Sequence, residues 1–341
     1  MIAIRVDANN IISTGHLIRC ITVADAIKAE GEDVLFITAD DYAGDILKKS
    51  GYTYISLGTD YSKPHSEIEA LLTVLKEHGI ERMLLDSNRI DQQYINSVGK
   101  HVKLSYFDDS NRMYKGLACV IQYSPFADWG EYLQSYCGTS TGIFIGSAYA
   151  PLRPEFSEVE RSVKKSVDGI MIATGGTDPM SVSYKLTELL AQSEELAGVK
   201  INVVVGYMYD NVEAYNRLAS QYDNIVLYQN DFLMSDVMCD SDIAVSAGGT
   251  TLLELCACGT PTVAFAFTDD QNESVRQMIN YKYMVGVGDI RISLDYKLKA
   301  IKDYIIELSK DYDKRFGMSN HMRTLVDGKG AIRIAKGIIE S

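Results

Sequence analysis

Short runs of β-branched and aliphatic residues alternate with longer helical patterns along all 341 residues, and the alternation starts over midway. Nothing else restricts the fold as much. Strand–helix–strand succession calls for parallel strands joined by crossover helices, which is a doubly wound α/β sheet. One set of strands is expected at 2–6, 33–39, 53–57, 82–86, 103–108 and 119–122. A second set is expected at 169–176, 200–206, 224–229, 243–249 and 261–267. Between them "SAYAPLRPEFSE" (147–158) carries Pro151 and Pro154 and no strand pattern, so it reads as a linker. The boundary is placed near residue 153. Residues 1–153 then form an N-terminal domain, and 154–341 a C-terminal domain. The amphipathic stretch Ala331–Ile339 suits either, so the last helix is free to pack back on the N-terminal domain. The length suits two domains of about 150 residues each.

Open α/β sheets bind ligands at the carboxyl ends of their strands. Two such sheets predict a cleft with those ends facing each other, so function is sought in loops that follow strands. The net charge of −13 disfavours nucleic acid and anionic membrane as partners. Six scattered cysteines without a C-x-x-C pair, no leader-like start and no apolar run near 18 residues predict a cytoplasmic chain with no membrane span. The five histidines are far apart in sequence, and no Walker A, G-x-G-x-x-G, G-x-S-x-G or H-E-x-x-H pattern occurs. The expected chemistry uses no metal and no cofactor.

The strongest local signal is "VSAGGTTLLELCACGTPTVAF" (245–265). A buried strand runs into Gly248 and Gly249, and a helix begins near Thr250. Glycine admits close approach of a ligand, and the free amides of a helix start favour phosphate. Thr250 and Thr251 add hydroxyl donors, and Glu254, one turn on, is placed to bond a ribose diol. The plainer alternative is a tight strand-to-helix turn with a capping threonine. "ATGGTDP" (173–179) is a second loop of this kind, with Gly175, Gly176 and Thr177 facing a ligand and Asp178 read as a helix cap ahead of Pro179. In "FTDDQNES" (267–274), either Asp270, Gln271 and Asn272 reach sugar hydroxyls or a phosphate, or the loop is simply polar and its aspartates cap the next helix. In the first domain, His16 opens a helical stretch in which Leu17, Ile21, Ala24 and Ile27 share a face. Asp7, Asp86, Asp108 and Asp109 end strands that gather round its loop. His16 is either a polar residue at a helix start or a base, since imidazole ordinarily titrates near neutrality.

"GH-x-x-R" after the first strand, a "GGTD" loop in the second domain, and "SAGGTTLLEL" followed by "GTP" resemble GT-B-type nucleotide-sugar enzymes. The "R-x-D" start, "YFDDS" and "YAPLRPEF" are similar to the UDP-sugar hydrolases of pseudaminic acid biosynthesis and the related spore-coat polysaccharide proteins. These motifs span residues 5 to about 275. The resemblance implies a GT-B-like pair of Rossmann-like domains, with His16 as the base that activates water at the anomeric carbon. It further implies that Gly249 to Thr251 bind the diphosphate and Glu254 the uridine ribose, with uracil read around Asn230 to Phe232. Asp7, Asn88, Tyr149, Arg153, Gln271 and Asn272 fall on the sugar side. Asn88 stands where the hydrolases carry an aromatic residue, and Ser13 where they tend to carry glycine. The partner implied is a UDP-sugar carrying a diacetamido-type sugar. Three functions fit this pattern. The first is hydrolysis to UDP and the free sugar, in surface polysaccharide or nonulosonic acid biosynthesis. The others are glycosyl transfer to a hydroxyl acceptor and non-catalytic UDP-sugar binding.

Overall fold

The computed structural model describes residues 1–9, 14–206, 209, 211–229 and 232–341. The chain divides into two compact units, residues 1–154 with 328–341, and residues 155–327.

The first unit is built on a seven-stranded parallel sheet. Its strands are β1 (Ile2–Val6), β2 (Val34–Thr38), β3 (Tyr54–Ser56), β4 (Arg82–Asp86), β5 (Lys103–Phe107), β6 (Cys119–Gln122) and β7 (Gly142–Ile145), in the order β3-β2-β1-β4-β5-β6-β7. The central strands are buried on both faces, as a parallel sheet covered by crossover helices must be. Alternation along β1 divides its side chains between two cores. Ile2, Ile4 and Val6 pack with Leu17, Ile21, Ala24 and Ile27 of the Gly15–Ala29 helix and with Ile334 and Ile338 of the closing Gly330–Glu340 helix. Ala3 faces the other way, among Leu71, Leu75, Tyr94 and Tyr132. Arg5 shares that second face, buried by ion pairs to Asp7 at 2.7 Å and Glu67 at 2.6 Å.

The second unit has a six-stranded parallel sheet made of β8 (Gly169–Ala173), β9 (Lys200–Val204), β10 (Ile225–Tyr228), β11 (Ile243–Ala247), β12 (Thr262–Ala266) and β13 (Val285–Asp289). Its order is β10-β9-β8-β11-β12-β13. The stretch that enters this unit is tied down by two arginines. Arg161 donates to the carbonyls of Cys239, Ser241 and Gly259, and the buried Arg315 donates to those of Lys164 and Lys165 at 2.9 Å.

In both sheets the chain winds outward from the first strand, then returns to start again beside it. The reversal lies between β1 and β4 in one unit and between β8 and β11 in the other. Connections leave such a pair of strands in opposite directions, so a crevice opens at their carboxyl ends. The loops after β1, β4, β8 and β11 are therefore the ones the topology singles out. No described helix is long and apolar enough to cross a membrane.

Candidate functional site

Val6 at the end of β1 pairs with Asp86 at the end of β4, so the reversal point of the first sheet carries a buried carboxylate. The helix that follows β1 begins at Gly15, which puts His16 and Arg19, three residues apart, on one face of its first turns. Both side chains turn to Asp86. Nδ1 of His16 lies 2.6 Å from Oδ1 of Asp86, and Arg19 grips the same carboxylate with Nε and Nη2, each at 2.6 Å. Arg19 also reaches Asp109 at 2.7 Å and donates to the Tyr123 hydroxyl at 2.9 Å. Its guanidinium lies 4.5 Å from the centre of the Phe107 ring.

The electrostatics of this cluster settle the state of its members. Burial alone would push the Asp86 carboxyl up, but Arg19 and His16 outweigh it and hold the group well below the usual carboxylate range. Burial likewise works against charge on Arg19, yet Asp86 and Asp109 keep its guanidinium protonated well above the ordinary value. An ionised carboxylate 2.6 Å from a ring nitrogen requires a proton between them, so Nδ1 of His16 is the N–H that donates. The 3.0 Å approach of Arg19 Nη2 to the same Nδ1 is then a contact and not a hydrogen bond, because that nitrogen has no lone pair left to offer. In a neutral ring this tautomer leaves the lone pair on Nε2. A carboxylate that fixes the tautomer and orientation of a histidine is the arrangement by which such a ring serves as a base.

His16, Asp86 and Asp109 offer ligand atoms within 4.8 Å of one another, a donor set suited in kind to a divalent cation. Arg19 lies among them, bonded to both carboxylates, and supplies the positive charge that a metal would bring.

The dyad opens into a cavity of about 320 Å³ lined by Asp7, His16, Tyr61, Asp86, Ser87, Asn88 and Arg89. Three of the expected residues, Asp7, His16 and Asn88, thus come together with Asp86. Asp7 is held there by Arg5 and by the Ala39 amide, 2.7 Å from Oδ1. Tyr149 lies elsewhere, stacked on Phe144 with ring centres 5.1 Å apart and packed against the core under the closing helix. Arg153 is half-buried near the end of the first unit's leading segment. Ser13 and Asn230 lie outside the described residues.

In the second unit, β8 and β11 are paired with Ala173 beside Ser246, which sets the two glycine-rich loops next to each other at the reversal point. The helix after β11 runs from Thr250 to Cys258 with Gly249 as its N-cap, a residue with no side chain to close the helix start. Gly249 and Thr250 are exposed, Thr251 and Glu254 half-buried. Gly248 is buried, and a Cβ there would sit 2.6 Å from Val275 Cγ2 and 2.9 Å from the Gln271 carbonyl oxygen, so any larger residue forces its neighbours to shift. The loop after β8 exposes Gly175, Gly176 and Thr177, and Gly175 takes φ +98°.

Two local details differ from expectation. The helix after this loop begins at Val182, not at Pro179, yet Asp178 still caps it by accepting from the amides of Val182 and Ser183 at 2.8 Å. Gly259-Thr260-Pro261, the later part of the 245–265 signal, closes the opposite end of the 250–258 helix. Gly259 is its left-handed C-cap and buried Thr260 bonds the Met238 carbonyl. For "FTDDQNES" the residue that caps the next helix is Thr268 and not an aspartate. Thr268 accepts from the Gln271 amide, and Oε1 of Gln271 accepts from the Phe267 amide at 2.9 Å. Asn272 is half-buried one position further along that helix.

Arg19, Tyr61, Arg89 and Tyr123 are the site residues that had no assigned role in the sequence. Only Arg19 left a trace there, as the last letter of "GH-x-x-R", three residues after His16 on a helix.

No model of a protein family matches the chain. Over 99% of its length it is 26% identical to an uncharacterized protein of Methanocaldococcus jannaschii, and it spans just under two thirds, 66%, of that relative's length. It is 23% identical to the spore coat polysaccharide biosynthesis protein SpsG of Bacillus subtilis, covering 94% of this chain and 92% of SpsG. Among solved structures it is similar to MurG of Acinetobacter baumannii, with a TM-score of 0.70, 12% identity and coverage of 100% and 99% of the two chains. It is also similar to the UDP-GlcNAc 2-epimerase of Neisseria meningitidis bound to UDP-GlcNAc, with a TM-score of 0.67, 12% identity and full coverage of both. The fold is the GT-B type, two Rossmann-like α/β units in one chain.

Proposed function

We propose that the chain is a UDP-sugar hydrolase that releases UDP and a free modified sugar of the diacetamido type, in cytoplasmic biosynthesis of surface polysaccharide or nonulosonic acids. The observation that carries the reading is the Asp86–His16 pair, 2.6 Å apart and opening on a cavity of sugar-like size, about 320 Å³. The epimerase of similar fold is bound to UDP-GlcNAc, and SpsG bears the name of a polysaccharide biosynthesis protein; both support the substrate class.

In this reading the uncapped start of the 250–258 helix, with Gly248, Gly249, Thr250 and Thr251, holds the diphosphate. Gly175, Gly176 and Thr177 line the same reversal point, and Glu254 bonds the ribose diol. Asp7 and Asn88 contact the sugar, with Arg153, Gln271 and Asn272 as further sugar-side candidates. A water molecule attacks the anomeric carbon from the face opposite the diphosphate. Its proton goes to Nε2 of His16 while Nδ1–H stays bonded to Asp86, which stabilises the imidazolium formed. The bond from the anomeric carbon to the diphosphate oxygen breaks, and its electron pair leaves with UDP, where helix-start amides stabilise the charge. The sugar is released with inverted configuration.

The test is to incubate the purified full chain with UDP-linked diacetamido sugars and no acceptor, following UDP release and the anomer by NMR. Release of UDP with the inverted sugar is expected. Turnover that appears only with an added hydroxyl compound would replace the hydrolase with a glycosyltransferase using the same base and the same UDP site. UDP binding without turnover, unaffected by His16→Ala, would leave only a binding protein.

A further inference from the structure

Two acids line the cavity beside His16, and both are already neutralised from within the protein. Asp7 is paired with Arg5, and Asp86 with Arg19 and His16. The remaining charged lining group is Arg89, just past the end of β4. Its guanidinium lies 5.2 Å from the centre of the Tyr61 ring, which also lines the cavity, and among the described residues it has no acidic partner. Its backbone is fixed by the bond from its amide to Ser87 Oγ at 3.3 Å. An arginine laid over an aromatic ring loses little hydration and keeps the N–H groups on its edge directed outward in a fork. Such a fork matches a planar or tetrahedral oxyanion and has no comparable use for a neutral hydroxyl.

We infer that Arg89, seated on Tyr61, is a specificity-determining residue that binds an anionic oxygen group of the ligand in the His16 cavity. The identity of that ligand as a UDP-sugar rests on the function proposed above. In such a molecule the oxyanion has two possible sources, a carboxylate carried by the sugar or the diphosphate of the leaving group.

Binding to the full chain, read by protein NMR, separates these sources without requiring turnover. The probes are glucuronate, inorganic pyrophosphate and, as the uncharged reference, glucose. Replacement of Arg89 by alanine is expected to weaken glucuronate or pyrophosphate by about tenfold or more and to leave glucose unchanged. Arg89→Lys, which keeps the charge and loses the fork, is expected to fall between the two. A loss confined to glucuronate assigns the group to the sugar, and one confined to pyrophosphate assigns it to the leaving group. Unchanged affinity for both anions overturns the inference, and so does an equal loss for glucose, which would mark Arg89 as packing alone. If no UDP-sugar is hydrolysed while the Arg89-dependent anion binding persists, the hydrolase reading fails and this one stands.

Discussion

His16 and Asp86 are 70 residues apart in the chain and 2.6 Å apart in space, joined because β1 and β4 are neighbours at the point where the first sheet reverses its winding. The acid is fully buried and the imidazole about one quarter exposed, at 24%. One end of the ring is thus anchored and the other is presented to the cavity.

Replacing Asp86 by asparagine removes the group that fixes the tautomer. We expect kcat to fall by about 10²- to 10⁴-fold, in line with the usual weight of a positioned base, with a smaller effect on KM. Steady-state kinetics on the UDP-linked sugar that the screen proposed above finds to be turned over check this, and a change in KM alone would count against the role.

The same carboxylate should leave a mark on acid stability. Its folded-state pKa lies below the unfolded value of about 3.9, so it binds its proton less readily folded than unfolded. The stability it contributes is complete above about pH 4 and is lost as the pH falls toward the depressed folded value. Unfolding free energies of wild type and Asp86→Asn, measured from neutrality down to acid, should converge below pH 4. Parallel curves throughout would show that Asp86 is not so perturbed.

Gly248 and Gly249 separate shape from function in the second unit. Alanine at 248 meets Val275 and the Gln271 carbonyl and should cost about 1–3 kcal/mol of stability. Alanine at 249 meets nothing within 4 Å, and the backbone there is extended. Gly249→Ala should therefore melt like the wild type while binding UDP more weakly, which paired thermal melts and UDP titrations would reveal. Undiminished UDP affinity would remove the diphosphate from this loop.

Glu254→Gln tests the ribose assignment with its own control. Affinity for UDP should drop by about tenfold, the value of one charge-assisted hydrogen bond. Affinity for 2′-deoxy-UDP, already missing one hydroxyl, should change much less. Equal losses for the two nucleotides would detach Glu254 from the diol.

Much of this architecture is legible in the amino-acid order because buried parallel strands are written as continuous apolar runs, and those at β1, β4, β8 and β11 are long enough to read. The two strands that escape notice are β7, "GIFI", and β13, "VGVGD", each on an edge of its sheet. An edge strand needs less burial, and Gly286 and Gly288 interrupt the pattern of β13 further. The glycine-rich loops after β8 and β11 are readable because their glycines are local. The Arg19 clamp is not, since its partners Asp86, Asp109 and Tyr123 arrive from three different strand ends. Nor is the seating of Arg89 on Tyr61, a pairing that only folding brings about. The Thr268–Gln271 cap was available as a T-x-x-Q pattern, which favours helix-start duty over ligand contact.

The closing helix has a consequence for the order of events during synthesis. Ile334, Ala335 and Ile338 complete the core that also contains Leu17 and Ile21, neighbours of His16 on its helix. As the ribosome delivers residues 1–154, that face emerges with nothing to cover it, and the whole of 155–327 is made before the cover arrives. The second unit can finish folding while the unit bearing His16 is still open on one flank. The support beneath His16 is thus put in place only after the whole of the second unit has been made.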